Sequence, residues 1–200
     1  MIEQSNLLSQ FPNLKNGFTS KSFGVIRNVD EQLPDSVIMN RHKLADELDL
    51  DLSKMMLGSQ PHGNEIMIGT SGMTGGMDQN YQDLPKVDGF ITNITEYTLI
   101  ASSADCVPVL LYDSVNQVIS SVHAGWKGAS KKIVQNAVKT MQSEYNSDPK
   151  NIFAVIGPAI CGQCYDNSAV SDDRLDVFNR LYTKVQKVVL EENGKISLDI

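Results

Sequence analysis

A cysteine and a histidine lie at the outer ends of a predicted β-hairpin, where the two side chains could share one metal ion. The stretch ADCVPVLLYDSVNQVISSVHAG (104–125) contains two apolar runs joined by a short turn. With Tyr112 opposite Gln117, counting outward places Cys106 directly opposite His123. Directly opposed residues share a sheet face with Cβ atoms ~4.5–5.5 Å apart, a separation that one zinc ion spans through a thiolate and an imidazole. The spacing therefore predicts that both side chains act on the same ligand.

Only two other histidines, His42 and His62, are present as a third ligand for such a site. His42 lies in MNRHKLADELDL, which is typical of a solvent-facing helix. His62 lies in GSQPHGNEI between two strand-like runs, beside Gly63, where the backbone can approach a ligand closely. His62 is the better candidate. The alternative is that His62, Cys106 and His123 are unrelated polar residues at strand ends.

The other two cysteines form a competing pair, Cys161-x-x-Cys164, in GPAICGQC. Zinc-dependent base deaminases combine P-C-x-x-C with H-x-E, and no H-x-E occurs in this sequence. No second cysteine pair accompanies the first, so a buried or loop-packing role is predicted for it. One cysteine with two histidines also resembles a blue-copper ligand set. A multicopper oxidase, however, needs many more histidines than the three in this chain.

Strand-like runs outnumber helix-like stretches among the elements that must position these side chains. Helix-like stretches cover 39–48, 129–145 and 171–187. The strand-like runs are KMMLGSQ, EIMIGT, DGFIT, TLIASSA, VPVLLYD, QVISSVHA and NIFAVIG. Strands in series with few helices favour an α+β fold of mixed sheets packed with helices in layers, rather than regular βαβ winding. At 200 residues the chain fits one domain, 1–200.

The composition argues against several classes of partner. A net charge of -7 disfavours nucleic acid, because phosphate backbones require a basic face. No run of ~18 apolar residues is present, so no membrane span is expected. The N-terminus carries no basic leader followed by an apolar stretch. Three cysteines are too few for a disulfide scaffold, and a cytoplasmic protein is expected.

Four ordered motifs resemble a known family. They are SQPHG, SADCVPVLLYD, SVHAGWKG and IGPAICGQCYDN, with weaker matches at NGFTSKSFG and at Asn40-Arg41. In this order they are similar to the YfiH/laccase-domain family, whose members are described as purine nucleoside phosphorylases. The resemblance covers nearly the whole chain and implies a layered α and β fold, similar to that of a deamidating bacterial toxin.

The resemblance also implies the chemistry of the site. It implies a zinc ion bound by His62, Cys106 and His123 as the catalytic centre. It implies phosphorolysis of adenosine, inosine or guanosine, with adenosine deamination and methylthioadenosine cleavage as companion activities. The small-molecule partners are then a nucleoside and phosphate.

Four further residues are assigned to substrate. Arg41 and Lys127 are expected phosphate contacts, although Lys127 replaces the family's usual arginine and loses its bidentate fork. Asp105, beside the cysteine, is expected to orient a ligand or accept a hydrogen bond from substrate. Trp126, in a glycine-flanked loop, is expected either to stack on a purine or to form a pocket wall.

The end of the chain carries a further expectation. In the family a motif like SLDI (197–200) is followed by an additional C-terminal segment. An exposed strand edge invites pairing with another chain, so a tendency to self-associate is expected. Two alternatives to the zinc enzyme stay open. One is a metal-free cysteine hydrolase or deamidase using Cys106 and His123, and the other is a binding protein with weak catalysis.

Overall fold

The computed structural model describes residues 1–27, 33–73, 79–161, 164, 189–192 and 195–198. The helices are α1 (Asp35–Leu48), α2 (Trp126–Ser130) and α3 (Ile133–Tyr145). The strands are β1 (Ile2–Glu3), β2 (Phe18–Thr19), β3 (Met55–Leu57), β4 (Ile66–Ile68), β5 (Gly89–Thr92), β6 (Thr98–Ile100), β7 (Val107–Asp113), β8 (Val118–Ala124), β9 (Ile152–Ile156), β10 (Val189–Glu192) and β11 (Lys195–Leu198).

A five-stranded sheet with the order β4-β5-β8-β7-β9 forms the centre of the fold. Strand β4 is parallel to β5, and all other neighbours are antiparallel. The seven strand-like runs of the sequence correspond to β3 through β9. Mixed sheets with few helices confirm the predicted α+β class.

Helix α3 covers one face of this sheet. Ile133, Ala137 and Met141 are fully buried at four-residue spacing, so they form one apolar stripe along the helix. The stripe packs in one cluster with Val122 of β8. Full burial of a side chain of this size contributes about 1.5–3 kcal/mol. This packing holds β8, and with it His123 near its end, in a defined position.

A smaller layer positions the segment that carries His62. Strands β3 and β6 pair in parallel, and Met55 and Leu57 of β3 pack in a cluster with Leu44 and Ala45 of α1. The chain leaves β3 and continues directly into the loop containing His62. The apolar cluster therefore anchors one end of that loop.

The β7–β8 hairpin has a register two residues away from the predicted one. Pro108 lies opposite His123, and Cys106 lies just before β7 begins. The prediction that Cys106 directly faces His123 is therefore wrong. A shift of two residues returns every side chain to the same face of the sheet. Cys106 consequently stays on the side of the sheet that His123 occupies.

The turn of this hairpin explains the register. Tyr112 pairs with Ile119 rather than with Gln117. The buried carboxylate of Asp113 accepts hydrogen bonds from the amides of Val115 and Asn116, at 2.9 and 3.2 Å. These amides are satisfied inside the turn and do not extend the ladder. The four-residue loop therefore lies at 114–117, one residue later than the predicted 113–116.

The predicted helix over 129–145 is two helices. Lys132 adopts a left-handed conformation (φ 61°, ψ 44°) and separates α2 from α3. Trp126 begins α2, where a loop was predicted. A methyl group at Gly128 would come within 2.7 Å of the Gly63 carbonyl oxygen, so this glycine lets α2 approach the loop of His62. Helix α1 begins four positions before the predicted 39–48, and 171–187 lies outside the described residues.

No helix in the described part of the chain has the length and apolar character needed to cross a membrane.

Candidate metal centre

His62, Cys106 and His123 converge at one end of the central sheet. Their potential ligand atoms all lie within 4.8 Å of one another. The two imidazole rings are nearly perpendicular, at 85°, with centroids 4.8 Å apart. Among the residues that the structure describes, this is the one group of three side chains with the donor types and spacing to hold a metal ion. His42, by contrast, is exposed on α1.

His123 is buried near the end of β8, with 3% of its surface exposed. Its backbone amide donates to the carbonyl of Asp88 at 2.7 Å. Its ring atom Nδ1 lies 2.9 Å from the Asp88 carboxylate oxygen Oδ1. This contact directs the other ring nitrogen, Nε2, toward a ligand, as is usual for metal-binding histidines.

Asp88 organises two of the three candidate ligands. Its side chain is buried, and besides His123 it accepts hydrogen bonds from the backbone amides of His62 at 2.9 Å and Gly63 at 2.7 Å. One carboxylate thus orients one imidazole ring and the backbone that carries the other. The sequence analysis missed this residue. Its signal is an acid directly before β5, in KVDGFIT.

Asp105 was predicted to orient a ligand. In the structure, the buried carboxylate that contacts the His123 ring and the His62 amide belongs to Asp88 instead. Asp105 is exposed, and its backbone carbonyl accepts a hydrogen bond from the amide of Ile160 at 3.1 Å. Adjacency to Cys106 in sequence directed the prediction to Asp105. The folded chain instead brings the carboxylate of Asp88, directly before β5, because β5 and β8 are neighbours in the sheet.

The loop carrying His62 is held in an unusual conformation. Gln60 and His62 have positive φ angles of 50° and 63°, which non-glycine residues adopt rarely. The buried Gln60 side chain donates to the carbonyl of Ser102 at 2.7 Å and accepts from its amide at 2.8 Å. This paired contact ties the loop of His62 to the segment that leads into Cys106.

The two histidines titrate differently. Burial disfavours the charged form of His123, but hydrogen bonds with Asp88 and Cys106 outweigh it and raise the pKa of His123 to about 9. Burial, followed by repulsion from His123, lowers the pKa of His62 below its ordinary value. Burial alone raises the pKa of Asp88, but hydrogen bonds from His123 and Gly63 outweigh it and lower that pKa overall. Metal binding at His123 must therefore displace a proton.

Gly125 leaves the space that the three side chains enclose. A methyl group built on it would lie 2.9 Å from Cδ2 of His62 and 3.1 Å from the Cys106 sulfur. Because both separations are shorter than normal contact distances, a larger residue would push ligands apart.

Gly125→Ala is expected to weaken metal binding by about tenfold or more, the lower end of what disturbed ligand orientation costs. The reason is displacement of His62 and Cys106 by the added methyl group. Zinc affinity measured by competition with a chromophoric chelator tests this. Ser130→Ala is the matched control and should leave affinity unchanged. Ser130 ends the helix that Gly125 precedes, and its hydroxyl donates to the Lys127 carbonyl. Equal affinity of Gly125→Ala and the parent protein would contradict the steric argument.

The predicted substrate contacts occupy different positions relative to this centre. Trp126 is half-buried directly after Gly125. Lys127 is exposed, with its ammonium 5.5 Å from the Trp126 ring centroid. Arg41 is buried in α1, where Nε donates to the carbonyl of Ile26 at 2.8 Å.

Arg27 is a cation near the centre that the sequence analysis did not select. Its Nη1 donates to the carbonyl of Ser59 at 2.7 Å, three residues before His62. Both Arg27 and Lys127 are close enough to His62 to lower the pKa of its imidazole. The arrangement puts two positive charges beside a group of metal-type donors. It is suited to an anionic ligand.

Comparison with known proteins finds a matching family model and solved structures of similar fold. The family model described as "Multi-copper polyphenol oxidoreductase laccase" matches residues 16–200. The solved structure of a Bacillus licheniformis hypothetical protein, YfiH, superimposes with a TM-score of 0.73 at 34% identity, covering 82% of this chain and 61% of that chain.

Curated relatives carry enzyme names. The chain is 36% identical to purine nucleoside phosphorylase YlmD of Bacillus subtilis, over 80% of this chain and 59% of that protein. It is 34% identical to purine nucleoside phosphorylase SCO2081 of Streptomyces coelicolor, over 75% and 63%. It is 26% identical to adenosine deaminase RL5 of an unknown prokaryotic organism, over 82% and 62%. The chain thus spans about 60% of the length of these curated relatives.

Proposed function

Because this chain belongs to the family described as multi-copper polyphenol oxidoreductase laccase and is similar in structure to the YfiH protein, we propose that it is a zinc-dependent purine nucleoside phosphorylase. The proposed reaction converts adenosine, inosine or guanosine and phosphate to the free base and ribose 1-phosphate. Adenosine deamination and methylthioadenosine cleavage are proposed as companion activities, the former supported by the relative named adenosine deaminase.

The observation that carries the proposal is the convergence of His62, Cys106 and His123 within 4.8 Å. The three residues come from a loop, a strand start and a strand end, so their meeting reflects the tertiary fold. Three protein donors are the number found in catalytic zinc sites, whereas structural sites use four.

The donor set fits zinc. Two imidazole nitrogens and one thiolate are among its preferred ligands. Donors in a tetrahedral zinc site lie roughly 3.3–3.8 Å apart, so these side chains need to close by about 1 Å around the ion. Bound there, zinc would supply Lewis-acid stabilisation of negative charge at an open coordination position. The family description mentions several coppers, but a multicopper oxidase needs many more histidines than the three in this chain.

The surrounding residues supply what phosphorolysis requires besides the metal. Phosphate must be held beside the sugar, and charge on the departing base must be stabilised. Lys127 and Arg27 provide positive charges whose field reaches His62 and lowers the pKa of its imidazole. Trp126 offers an aromatic face beside Gly125 for a purine. Arg41 and Asp105 stay predicted substrate contacts.

The test is incubation of the zinc-loaded 200-residue protein with adenosine, inosine or guanosine, with and without phosphate. Chromatography then quantifies the free base, and NMR distinguishes ribose 1-phosphate from ribose. Phosphate-dependent release of base together with ribose 1-phosphate is expected. Base release without phosphate would indicate hydrolysis, and conversion of adenosine to inosine without phosphate would report deamination. Absence of base release from all three nucleosides would contradict the proposal.

Lys127→Ala and Arg27→Ala are each expected to raise the KM for phosphate about tenfold, because a hydrogen bond to a charged group contributes about 1.5–3 kcal/mol. Steady-state kinetics with phosphate as the varied substrate measure this effect. The exposed Lys131 directly follows α2, the helix that contains Lys127. Lys131→Ala is the matched control that should leave the KM unchanged. An equal rise in all three variants would attribute the effect to net charge rather than to a phosphate contact.

A second candidate function is supported by one contact pattern. Cys106, His123 and Asp88 form a continuous hydrogen-bonded series, as in a cysteine nucleophile with its base and orienting acid. Such a hydrolase or deamidase needs no second imidazole, and the position of His62 favours the metal site instead. Metal content of protein purified without added metal separates the two. Stoichiometric zinc is expected, and activity of the metal-free protein would favour the cysteine enzyme.

Two further properties belong to the proposal. We propose a cytoplasmic location because three cysteines are too few for the disulfide scaffold of a secreted protein. We also propose self-association through the edge strand β9, in which Ile156 is 72% exposed. Sedimentation that gives a monomer at all concentrations would contradict the second point.

The nucleoside assay separates an active enzyme from a binding protein with weak catalysis.

A further inference from the structure

Cys161 and Cys164 form an exposed dithiol that the proposed function leaves without a role. Both side chains are exposed, and neither cysteine is in a disulfide. The amide of Cys164 donates to the carbonyl of Cys161 at 3.0 Å. A backbone hydrogen bond between residues three apart holds their Cα atoms within about 7 Å, and disulfides usually join Cα atoms about 4.4–6.8 Å apart. The backbone therefore already holds the two cysteines at a distance that a disulfide can bridge.

The two thiols also contact each other directly. A hydrogen bond with Cys161 raises the pKa of Cys164, so Cys164 holds its proton to higher pH than an ordinary thiol. The thiolate is the nucleophile in thiol chemistry, and a neighbouring donor stabilises it. Cys161 is accordingly the attacking sulfur of the pair, and Cys164 is the resolving one.

The dithiol lies beyond the Cys106 end of the central sheet. After β9, the Gly157 amide donates to the carbonyl of Pro108 at 2.9 Å and the Ile160 amide to that of Asp105 at 3.1 Å. These hydrogen bonds hold the segment after β9 against the start of β7, and Cys161 directly follows that segment. The metal-type group contains Cys106 and neither cysteine of the dithiol. The metal-type group and the dithiol therefore share no residue.

We propose that Cys161 and Cys164 form a thiol–disulfide exchange site that accepts low-molecular-weight disulfides. The Cys161 thiolate attacks one sulfur of the small disulfide, forming a mixed disulfide and releasing one thiolate. Cys164 then loses its proton and attacks the Cys161 sulfur, which breaks the mixed disulfide and releases the second thiolate. The protein loses two electrons and two protons, and the small disulfide is reduced to two thiols.

Peptide mapping after equilibration with glutathione disulfide tests the site in the whole zinc-loaded chain. Residues 151–174 form one tryptic peptide that contains both cysteines, and Cys106 lies in another, 87–127. An internal disulfide within the first peptide is expected, with Cys106 still open to alkylation after zinc removal, and dithiothreitol should reverse the bridge. A bridge between the two peptides, or a fully alkylatable 151–174 peptide, would overturn the proposal.

Two variants test the order of attack. Cys164→Ser removes the resolving thiol, so a glutathione adduct on Cys161 is expected to accumulate. Cys161→Ser removes the attacking sulfur but keeps a hydroxyl oxygen that can accept from the Cys164 thiol. The adduct on Cys164 should therefore form at least several-fold more slowly at neutral pH. Equal adduct rates in both variants would contradict the assigned roles. Zinc content should stay equal to that of the parent in both, since neither residue belongs to the metal-type group.

Discussion

Cys106→Ala protein is expected to lose zinc binding and nucleoside cleavage together while keeping its fold. Cys106 is the one thiolate among three donors, and its removal leaves two imidazoles, which is a poor zinc site. The affinity loss should exceed the ~10–100-fold that disturbed outer partners cost. The residue is half-buried just before β7, so the free energy of unfolding of the zinc-free protein should change by less than about 1 kcal/mol.

The measurement pairs metal analysis with the nucleoside assay on the same preparation. Cys161→Ala is the matched control, because it removes a thiol outside the metal-type group, and it should keep full zinc and full activity. Full zinc occupancy in Cys106→Ala would remove this residue from the ligand set. Zinc loss in Cys161→Ala would favour the competing Cys161-x-x-Cys164 pair instead.

Asp88→Asn is expected to lower zinc affinity about 10–100-fold, the usual effect of losing the partner that orients a metal-binding histidine. The carboxylate accepts from the His123 ring and from the amides of His62 and Gly63. The asparagine side chain has an NH₂ donor where one carboxylate oxygen accepts now, so one backbone N–H would face another donor. A buried donor without an acceptor costs about 1–3 kcal/mol, and the free energy of unfolding should fall by that amount.

Chelator competition and denaturant unfolding measure the two effects of this substitution separately. Asp105→Asn is the matched control: it makes the same chemical change at the exposed carboxylate beside Cys106. We expect Asp105→Asn to change both quantities little. A larger affinity loss in Asp105→Asn than in Asp88→Asn would restore the orienting role that adjacency in sequence suggested for Asp105. In ¹H–¹⁵N spectra, loss of the His123 Nδ1–H signal in Asp88→Asn would show that the ring orientation depends on this carboxylate.

Local patterns in the sequence were sufficient for the elements and for one pair of candidate ligands. The period of apolar residues in the seven strand-like runs predicted β3 through β9, because alternation and length are local properties. Cys106 and His123 belong to one hairpin, whose two strands are joined directly. The register prediction was wrong by two residues, yet side-chain direction repeats every two residues, so the shared face was predicted correctly.

The tertiary structure alone decided which distant residues complete the site. Asp88 lies 35 positions before His123, and the two meet because β5 pairs with β8. Arg27 reaches the loop of His62 through a bond to Ser59 across 32 positions. No periodicity in the sequence encodes which strands become neighbours. That choice depends on burying the apolar faces of the sheet and α3 together, a property of the whole folded chain rather than of any short segment.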